Sequence, residues 1–149
     1  EQDPDTFADV IDINLTGAMR AAQAARPLLA ASRGTLTLTA SMLSFFGSGP
    51  APGYAASKGG IAQLAKSLAI AWAPLGIRVN ALAPGWIATP LTQALQDDPA
   101  RAAPILDRTP MARWGTPQDV AGAALFLASP LAGFITGTIL PVDRGYLIR

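Results

Sequence analysis

Apolar and small residues recur at helical spacing over the first thirty residues of the chain. Turn and cap residues at positions 3–6 precede an apolar series that starts at Phe7, and residues 32–34 end it. Acidic residues at the start favour the helix dipole, so the pattern predicts one helix from about residue 7 to residue 31, bent at Pro27. Its alanines fall on more than one face, which suits packing against a sheet on one side and a helix on the other.

Two later segments have the character of parallel strands, and a long helix lies between them. Residues 35–39 alternate strictly between threonine and leucine, while residues 77–83 are largely apolar and end at Pro84-Gly85. Glycines and prolines form a loop after the first segment, and the pattern from about Tyr54 to Trp72 predicts a helix. Strand, helix and strand at this spacing predict parallel pairing with a right-handed crossover in an α/β fold.

Four prolines interrupt the next stretch, residues 86–114. The sequence there predicts a long lid or binding loop, with short helices near 91–95 and 100–106. A threonine cap at Thr116 and the proline after it begin a further helix. Residues 138–142 are the third predicted strand, and its proline assigns it to an edge of the sheet because proline cannot donate to the ladder.

The composition narrows the classes of function. Half of the 149 residues are hydrophobic and 14% are charged, so we expect much of the surface to be covered by another subunit or by further chain. A net charge of +1 with scattered arginines argues against nucleic-acid binding. Histidine and cysteine are absent, which excludes disulfides, the usual zinc sites and imidazole-based triads, and no metal is predicted. The lack of cysteine suits a cytoplasmic protein, and no apolar run is long enough to predict a membrane span.

The strongest candidate chemistry lies at the start of the second predicted helix, where Tyr54 and Lys58 are four residues apart. At this spacing both side chains lie on one helix face, and a nearby ammonium favours the ionised phenol. Tyr54 is therefore a candidate proton donor and acceptor near neutral pH. Ser41 ends the first predicted strand thirteen residues earlier, with Ser44 as a weaker rival. The simpler interpretations are a solvated lysine at an exposed helix end and a serine bonded to the backbone.

Motifs along the whole chain resemble the classical short-chain dehydrogenase/reductase family. The Tyr-x-x-x-Lys spacing and the thirteen-residue step from Ser41 to Tyr54 are the usual ones in that family. Asn14 lies in a segment similar to the family's helix with an active-site asparagine, and residues 77–90 are similar to its nicotinamide-contacting stretch. Residues 113–121 and 135–137 resemble later signatures. The resemblance implies a partial doubly wound, Rossmann-like parallel sheet of about three strands with flanking helices.

The resemblance also implies a reaction and a role for each residue. A nicotinamide cofactor, NAD or NADP, would exchange a hydride with an alcohol or ketone substrate while Tyr54 exchanges the proton. Lys58 would favour ionised Tyr54 and bind the nicotinamide ribose, and Ser41 would hold the substrate oxygen. Asn14 would anchor a water that connects Lys58 to solvent, although a helical asparagine usually just faces solvent. The implied cofactor contacts are Tyr54, Lys58, Pro84, Gly85, Ile87 and Thr89, and the implied substrate cover is Trp86, Leu91, Leu95, Ile105, Leu106 and Met111.

The chain departs from the family pattern in two places. The Gly-rich phosphate-binding turn and the Asn-Asn-Ala-Gly segment are absent, so we expect residues 1–149 to be the C-terminal catalytic and substrate part of one dehydrogenase domain, without its N-terminal dinucleotide-binding half. Such a chain is expected to be a poor enzyme by itself. Arg144 stands where the family usually has glycine, which would strain the turn if that position needs a positive φ.

The two longest predicted helices also suggest how the chain assembles. In the family, the helices that correspond to residues 7–31 and 54–72 pair across a two-fold axis, which implies a homo-oligomer, a dimer or a tetramer. Small residues on their outward faces permit that approach, and packing in the core alone is the simpler interpretation. A non-catalytic interaction module derived from such an enzyme is the alternative function. A hydrolase or acyltransferase that uses Ser41 would lack any histidine base.

Overall fold

The computed structural model describes all 149 residues, as a three-stranded parallel sheet with helices packed on it. The strands are β1 (Thr35–Thr39), β2 (Arg78–Pro84) and β3 (Ile139–Val142), in the order β1-β2-β3. The α-helices are α1 (Pro4–Ile11), α2 (Gly17–Ser32), α3 (Pro52–Trp72), α4 (Gln93–Gln96), α5 (Pro99–Arg108) and α6 (Pro117–Ala128). None of the helices has the length and apolar run that crossing a bilayer requires.

The sheet has the predicted parallel pairing. In β1 and β2, Leu36 lies opposite Val79 and Thr39 opposite Leu82, and α3 makes the connection between the two strands. The third strand pairs with β2 alone, so Pro141 lies on an edge strand. The edge assignment is confirmed, and its reason is that the missing N–H of a proline is tolerated where no further strand needs it.

One face of α3 forms the main core against the sheet. Ile61, Ala65, Leu68 and Trp72 recur at helical spacing and are between 0% and 6% exposed. They pack against the inward side chains of β2, including Val79. Burying a side chain such as Ile61 contributes roughly 1.5–3 kcal/mol, so this face holds α3 firmly on the sheet.

The first helical segment differs from its prediction. It begins at Pro4, where the carboxylate of Asp3 accepts a 3.0 Å hydrogen bond from the Thr6 N–H. A π-helical turn, Asp12–Thr16, then separates α1 from α2. The prediction of a single helix is wrong on this point, because one additional residue in a turn leaves the apolar pattern almost unchanged.

The long connection after β2 is closed at its base by a short parallel bridge between Ile87 and Gly115. The Ala88 N–H donates to the Gly115 carbonyl at 2.8 Å, and the Gly115 N–H donates to the Trp86 carbonyl at 2.9 Å. Helices α4 and α5 lie within this loop, close to the two predicted short helices. The bridge makes the segment a closed lid rather than an open linker.

Candidate active site

The structure brings Ser41, Tyr54 and Lys58 together where β1 ends and α3 begins. Ser41 follows β1 and caps a short 3-10 turn, Met42–Ser44. Tyr54 and Lys58 lie one turn apart near the start of α3, and the Lys58 Nζ is 5.5 Å from the centroid of the Tyr54 ring. The side chains predicted to share one helix face therefore do share it.

A cavity of about 320 Å³ opens in front of Ser41 and Tyr54. Four of the predicted cofactor contacts line it, namely Tyr54, Gly85, Ile87 and Thr89, whereas Lys58 and Pro84 do not. Of the predicted substrate cover, Trp86, Leu91 and Leu95 line the cavity, but Ile105, Leu106 and Met111 do not. The lining residues that sequence reasoning missed are Met42, Leu43 and Thr92.

Ile105 and Met111 lie outside the cavity for different reasons. Ile105 is 9% exposed and belongs to the buried side of α5, so it packs the lid rather than the cavity. Met111 is 64% exposed, and its sulfur lies 3.8 Å from a guanidinium nitrogen of Arg144. The sequence alone therefore does not indicate whether an apolar loop residue will line the cavity, pack inside the lid or face solvent.

The ammonium of Lys58 is fixed by the strand beside it. Its Nζ donates a 2.7 Å hydrogen bond to the carbonyl oxygen of Thr39, the last residue of β1. Partial burial lowers the pKa of Lys58 below its ordinary value of 10.5, because the charged form loses hydration. The contact leaves the positive charge beside the Tyr54 ring.

Asn14 joins the site through a serine that the sequence did not single out. The Asn14 Nδ2 donates to the Ser57 Oγ at 3.2 Å, and that hydroxyl donates to the Tyr54 carbonyl oxygen at 2.7 Å. Ser57 is fully buried, and Asn14, half-buried, lies at the centre of the π-helical turn. Asn14 therefore bonds a buried serine rather than only facing solvent, and the position of Ser57 three residues after Tyr54 was the available sequence signal.

The start of α3 is capped from a distance. The helix has no side-chain cap of its own, and the carboxylate of Glu1 instead accepts a 2.9 Å hydrogen bond from the Tyr54 N–H. The first N–H groups of a helix lack partners within it, so this carboxylate satisfies one of them. Residues 53 positions apart give no sequence signal for such a contact.

Two hydrogen-bond donors in the cavity wall have no partner within the protein. The Ser41 Oγ accepts from the Leu43 N–H at 3.2 Å, and its own proton has no protein acceptor. The backbone N–H of Ile87, beside the cavity, has no protein acceptor either. These groups, together with the Tyr54 hydroxyl, can bind a polar ligand that contains at least one acceptor oxygen.

Arg144 shows that the turn after β3 does require a positive φ. Its φ is +56°, and the following Gly145 has a φ of +85°. The guanidinium donates a 2.8 Å hydrogen bond to Asp119, which also pairs with Arg113 at 3.0 Å. Hydrogen bonds from Thr116 and Arg113 hold the pKa of Asp119 below its usual range. This network joins the third strand to the base of the lid.

No group of acidic, histidine or cysteine side chains in the chain is arranged to hold a metal ion. The polar groups at the candidate site are the hydroxyls of Ser41 and Tyr54, the Lys58 ammonium and backbone amides. A phenol beside an ammonium, opposite a serine hydroxyl, can exchange a proton with a bound oxygen.

Comparison with known proteins gives consistent matches along the chain. Residues 1–147 match the protein family described as enoyl-(acyl carrier protein) reductase. The chain is 45% identical to 2-dehydro-3-deoxy-D-gluconate 5-dehydrogenase of Pseudoalteromonas atlantica, over 100% of its own length and 59% of that protein. It is 43% identical to the L-tagatose-forming galactitol 2-dehydrogenase of Cereibacter sphaeroides, over 99% and 59% of the two chains.

A solved structure shares the fold. The chain superposes with a TM-score of 0.93 on gluconate 5-dehydrogenase of Burkholderia cenocepacia, determined in complex with NADP and tartrate. The two are 36% identical, and the match covers 99% of this chain and 58% of that one. The chain therefore spans about three-fifths of the length of the relatives that it matches.

Proposed function

The chain belongs to the short-chain dehydrogenase/reductase family, and we propose that it carries the catalytic part of an NAD(P)-dependent oxidoreductase acting on an alcohol or ketone. The observation that carries the proposal is the shared cavity of Ser41 and Tyr54, with the Lys58 Nζ 5.5 Å from the Tyr54 ring centroid. Ser41 and Tyr54 come from two elements and meet around one open space, and Lys58 lies beside Tyr54. A structural serine and a solvated lysine would not require that arrangement.

The proposed roles follow from the hydrogen-bond donors, acceptors and charges that each side chain leaves available for a ligand. A bound nicotinamide supplies or accepts the hydride. Tyr54 takes the proton from the substrate hydroxyl during oxidation and returns it to the carbonyl oxygen during reduction. Ser41 donates its free proton to the same oxygen and orients it, and the charge of Lys58 stabilises the phenolate that forms on Tyr54. Asn14, whose amide nitrogen donates to Ser57, anchors a water that connects Lys58 to solvent, so that the proton can be replaced.

The walls of the cavity fit a nicotinamide at the side of Gly85, Ile87 and Thr89. The free N–H of Ile87 suits a carboxamide oxygen, and the partly buried ammonium of Lys58 suits ribose hydroxyls. The relatives include a gluconate 5-dehydrogenase solved with NADP, which supports a nicotinamide nucleotide as cofactor. Their names also support a polyhydroxy alcohol or sugar acid as the substrate class.

We also propose that residues 1–149 form the C-terminal catalytic and substrate part of a single Rossmann-type domain. The chain covers 59% of the length of the Pseudoalteromonas relative, and the sequence lacks the Gly-rich phosphate-binding turn and the Asn-Asn-Ala-Gly segment of the family. Without that turn, the adenine side of the nucleotide would have no site. The isolated 149 residues should then turn over poorly compared with a protein that includes the other half.

Self-association through the long helices is a further part of the proposal. Large apolar side chains on these helices face outwards, including Ile13 at 73%, Leu28 at 77% and Ile70 at 79% exposure. A second copy would remove such surface from water at about 25 cal/mol for each Å². Ile70→Glu should lower the molar mass measured by analytical ultracentrifugation, whereas Arg101→Glu, at an exposed position of α5, should not. An unchanged mass for Ile70→Glu would contradict the assignment of this face.

A direct assay tests the function. The protein encoded by the complete open reading frame around residues 1–149 is incubated with NAD or NADP and with D-gluconate or galactitol. The absorbance of the reduced nicotinamide is followed. We expect turnover with at least one pair, and a much lower rate for residues 1–149 alone. Absence of nucleotide-dependent turnover in either direction across a panel of polyols, sugar acids and ketones would refute the proposal.

A further inference from the structure

Ser44, three residues after Ser41, makes two hydrogen bonds that join both sides of the candidate site. Its Oγ accepts a 3.2 Å hydrogen bond from the Ser41 N–H and donates a 2.6 Å hydrogen bond to the Lys58 carbonyl oxygen. One contact lies at the end of β1 and the other in α3. A single hydroxyl thus connects the two elements that carry the predicted catalytic side chains.

The position of Ser41 explains why this connection is needed. Just before Ser41, the Ala40 N–H donates a 2.7 Å hydrogen bond to the Leu82 carbonyl oxygen of β2. The Ser41 N–H makes no such bond to β2. Ser41 is 7% exposed, and its N–H has no other acceptor. An unsatisfied buried N–H costs roughly 1–3 kcal/mol, so without Ser44 the backbone at Ser41 would shift to find an acceptor.

We propose that Ser44 is a positioning residue, which sets the distance between Ser41 and the Tyr54–Lys58 turn of α3. It is not a second substrate-holding hydroxyl, because its one proton is given to the Lys58 carbonyl and it does not line the cavity. This inference rests on the proposed function for its effect on turnover. The bridge itself, however, is a property of the folded chain.

The placement predicts which kinetic quantity changes. Ser44 touches no ligand, so its loss should leave binding nearly intact and displace the Ser41 hydroxyl from its place opposite Tyr54. Displacements on the order of 1 Å can cost about 100-fold in rate. We therefore expect Ser44→Ala to lower kcat about 10- to 100-fold with a change in KM of less than about threefold, and Ser44→Thr, which keeps the hydroxyl, to restore most of kcat.

The experiment uses the full-length protein and compares Ser44→Ala, Ser44→Thr and a control, Ser32→Ala. Ser32 also donates to a backbone carbonyl, that of Leu28 at 3.0 Å, but at the far end of α2. For each variant we measure both the amide hydrogen exchange rate at Ser41 and the turnover of a substrate identified in the assay above. Loss of Ser41 protection in Ser44→Ala, with protection kept in Ser44→Thr and Ser32→Ala, is the expected result.

The outcomes separate this inference from the proposed function. If wild type turns over substrate and Ser44→Ala retains kcat within about twofold, the positioning role is wrong and the proposed function stands. If wild type does not turn over any substrate, the proposed function fails, and Ser41 exchange alone decides whether Ser44 braces this turn. Unchanged exchange at Ser41 in Ser44→Ala overturns the inference in either case.

Discussion

The Nζ atom of Lys58 lies 5.5 Å from the centroid of the Tyr54 ring, within the range in which an ammonium is attracted to an aromatic face. The same atom is tied to the Thr39 carbonyl at 2.7 Å. Its direction is therefore set by the sheet and not by solvent. This relationship underlies the predictions on turnover and on pH.

Removing the Tyr54 hydroxyl should abolish most turnover. Tyr54→Phe keeps the ring beside Lys58 and deletes the proposed proton donor and acceptor, so we expect kcat to fall by about 100- to 10,000-fold. The other tyrosine, Tyr146, is 9% exposed and does not line the cavity, so Tyr146→Phe serves as the matched control. Turnover that is indifferent to Tyr54→Phe would contradict the proposed role, and stable oligomers without nucleotide effects would favour a non-catalytic module.

Folding stability should depend on pH through Lys58. Burial lowers its pKa when the protein folds, so the unfolded chain binds the proton more tightly. The folded protein therefore gains stability as pH rises through the folded pKa towards 10.5, and Lys58→Met removes that gain. Urea unfolding across this pH range should show the free energy of unfolding of wild type rising relative to that of Lys58→Met. The exposed Lys66→Met variant should follow wild type. A difference between wild type and Lys58→Met that stays constant with pH would contradict this.

Loss of the Ser57 hydroxyl should destabilise the fold. Ser57 is 0% exposed and bonds both Asn14 and the Tyr54 carbonyl, so Ser57→Ala leaves a half-buried amide without its partner. We expect a decrease of roughly 1–3 kcal/mol in the free energy of unfolding. Ser67→Ala, at an exposed position of the same helix, should change it by less than about 0.5 kcal/mol. Equal effects of the two substitutions in urea unfolding would rule out a structural role for the contact.

Two substitutions at Arg144 separate the backbone from the side chain. Both Arg144→Gly and Arg144→Ala remove the hydrogen bond to Asp119, but Ala keeps the cost of a φ of +56° that Gly does not have. We expect the Gly variant to be more stable than the Ala variant by about 1 kcal/mol. Thermal unfolding with a van't Hoff analysis measures the difference, and equal stabilities would show that the turn relaxes to a negative φ.

Local patterns predicted the elements that depend on periodicity and capping. The predicted Thr116 cap forms and makes a reciprocal contact with Asp119, and β1 begins at the predicted residue and ends two residues before Ser41. A four-residue spacing also sufficed to place Tyr54 and Lys58 on one face. These features rest on interactions within a few residues of one another, which the order of residues directly encodes.

Contacts between distant segments could not be predicted in the same way. The bond of Glu1 to the Tyr54 N–H, the bridge of Ser44 to α3 and the position of Met111 each depend on where helices meet. The polar partners are common residue types with no distinctive spacing. The roles of Asn14, Ser41, Tyr54 and Lys58 in turnover remain predictions, and Tyr54→Phe tests that of Tyr54.

The π-helical turn at Asp12–Thr16 limits changes in chain length more than changes in residue type. A helix rotates by about 100° for each residue, so a deletion of one residue here would convert the wide turn to an ordinary one and swing α1 around its axis. Glu1 would then be carried away from the Tyr54 N–H, while α2 kept its place. Homologous chains that keep this geometry should tolerate substitution at an exposed position of this turn, such as Asp12, more readily than a gain or a loss of a single residue.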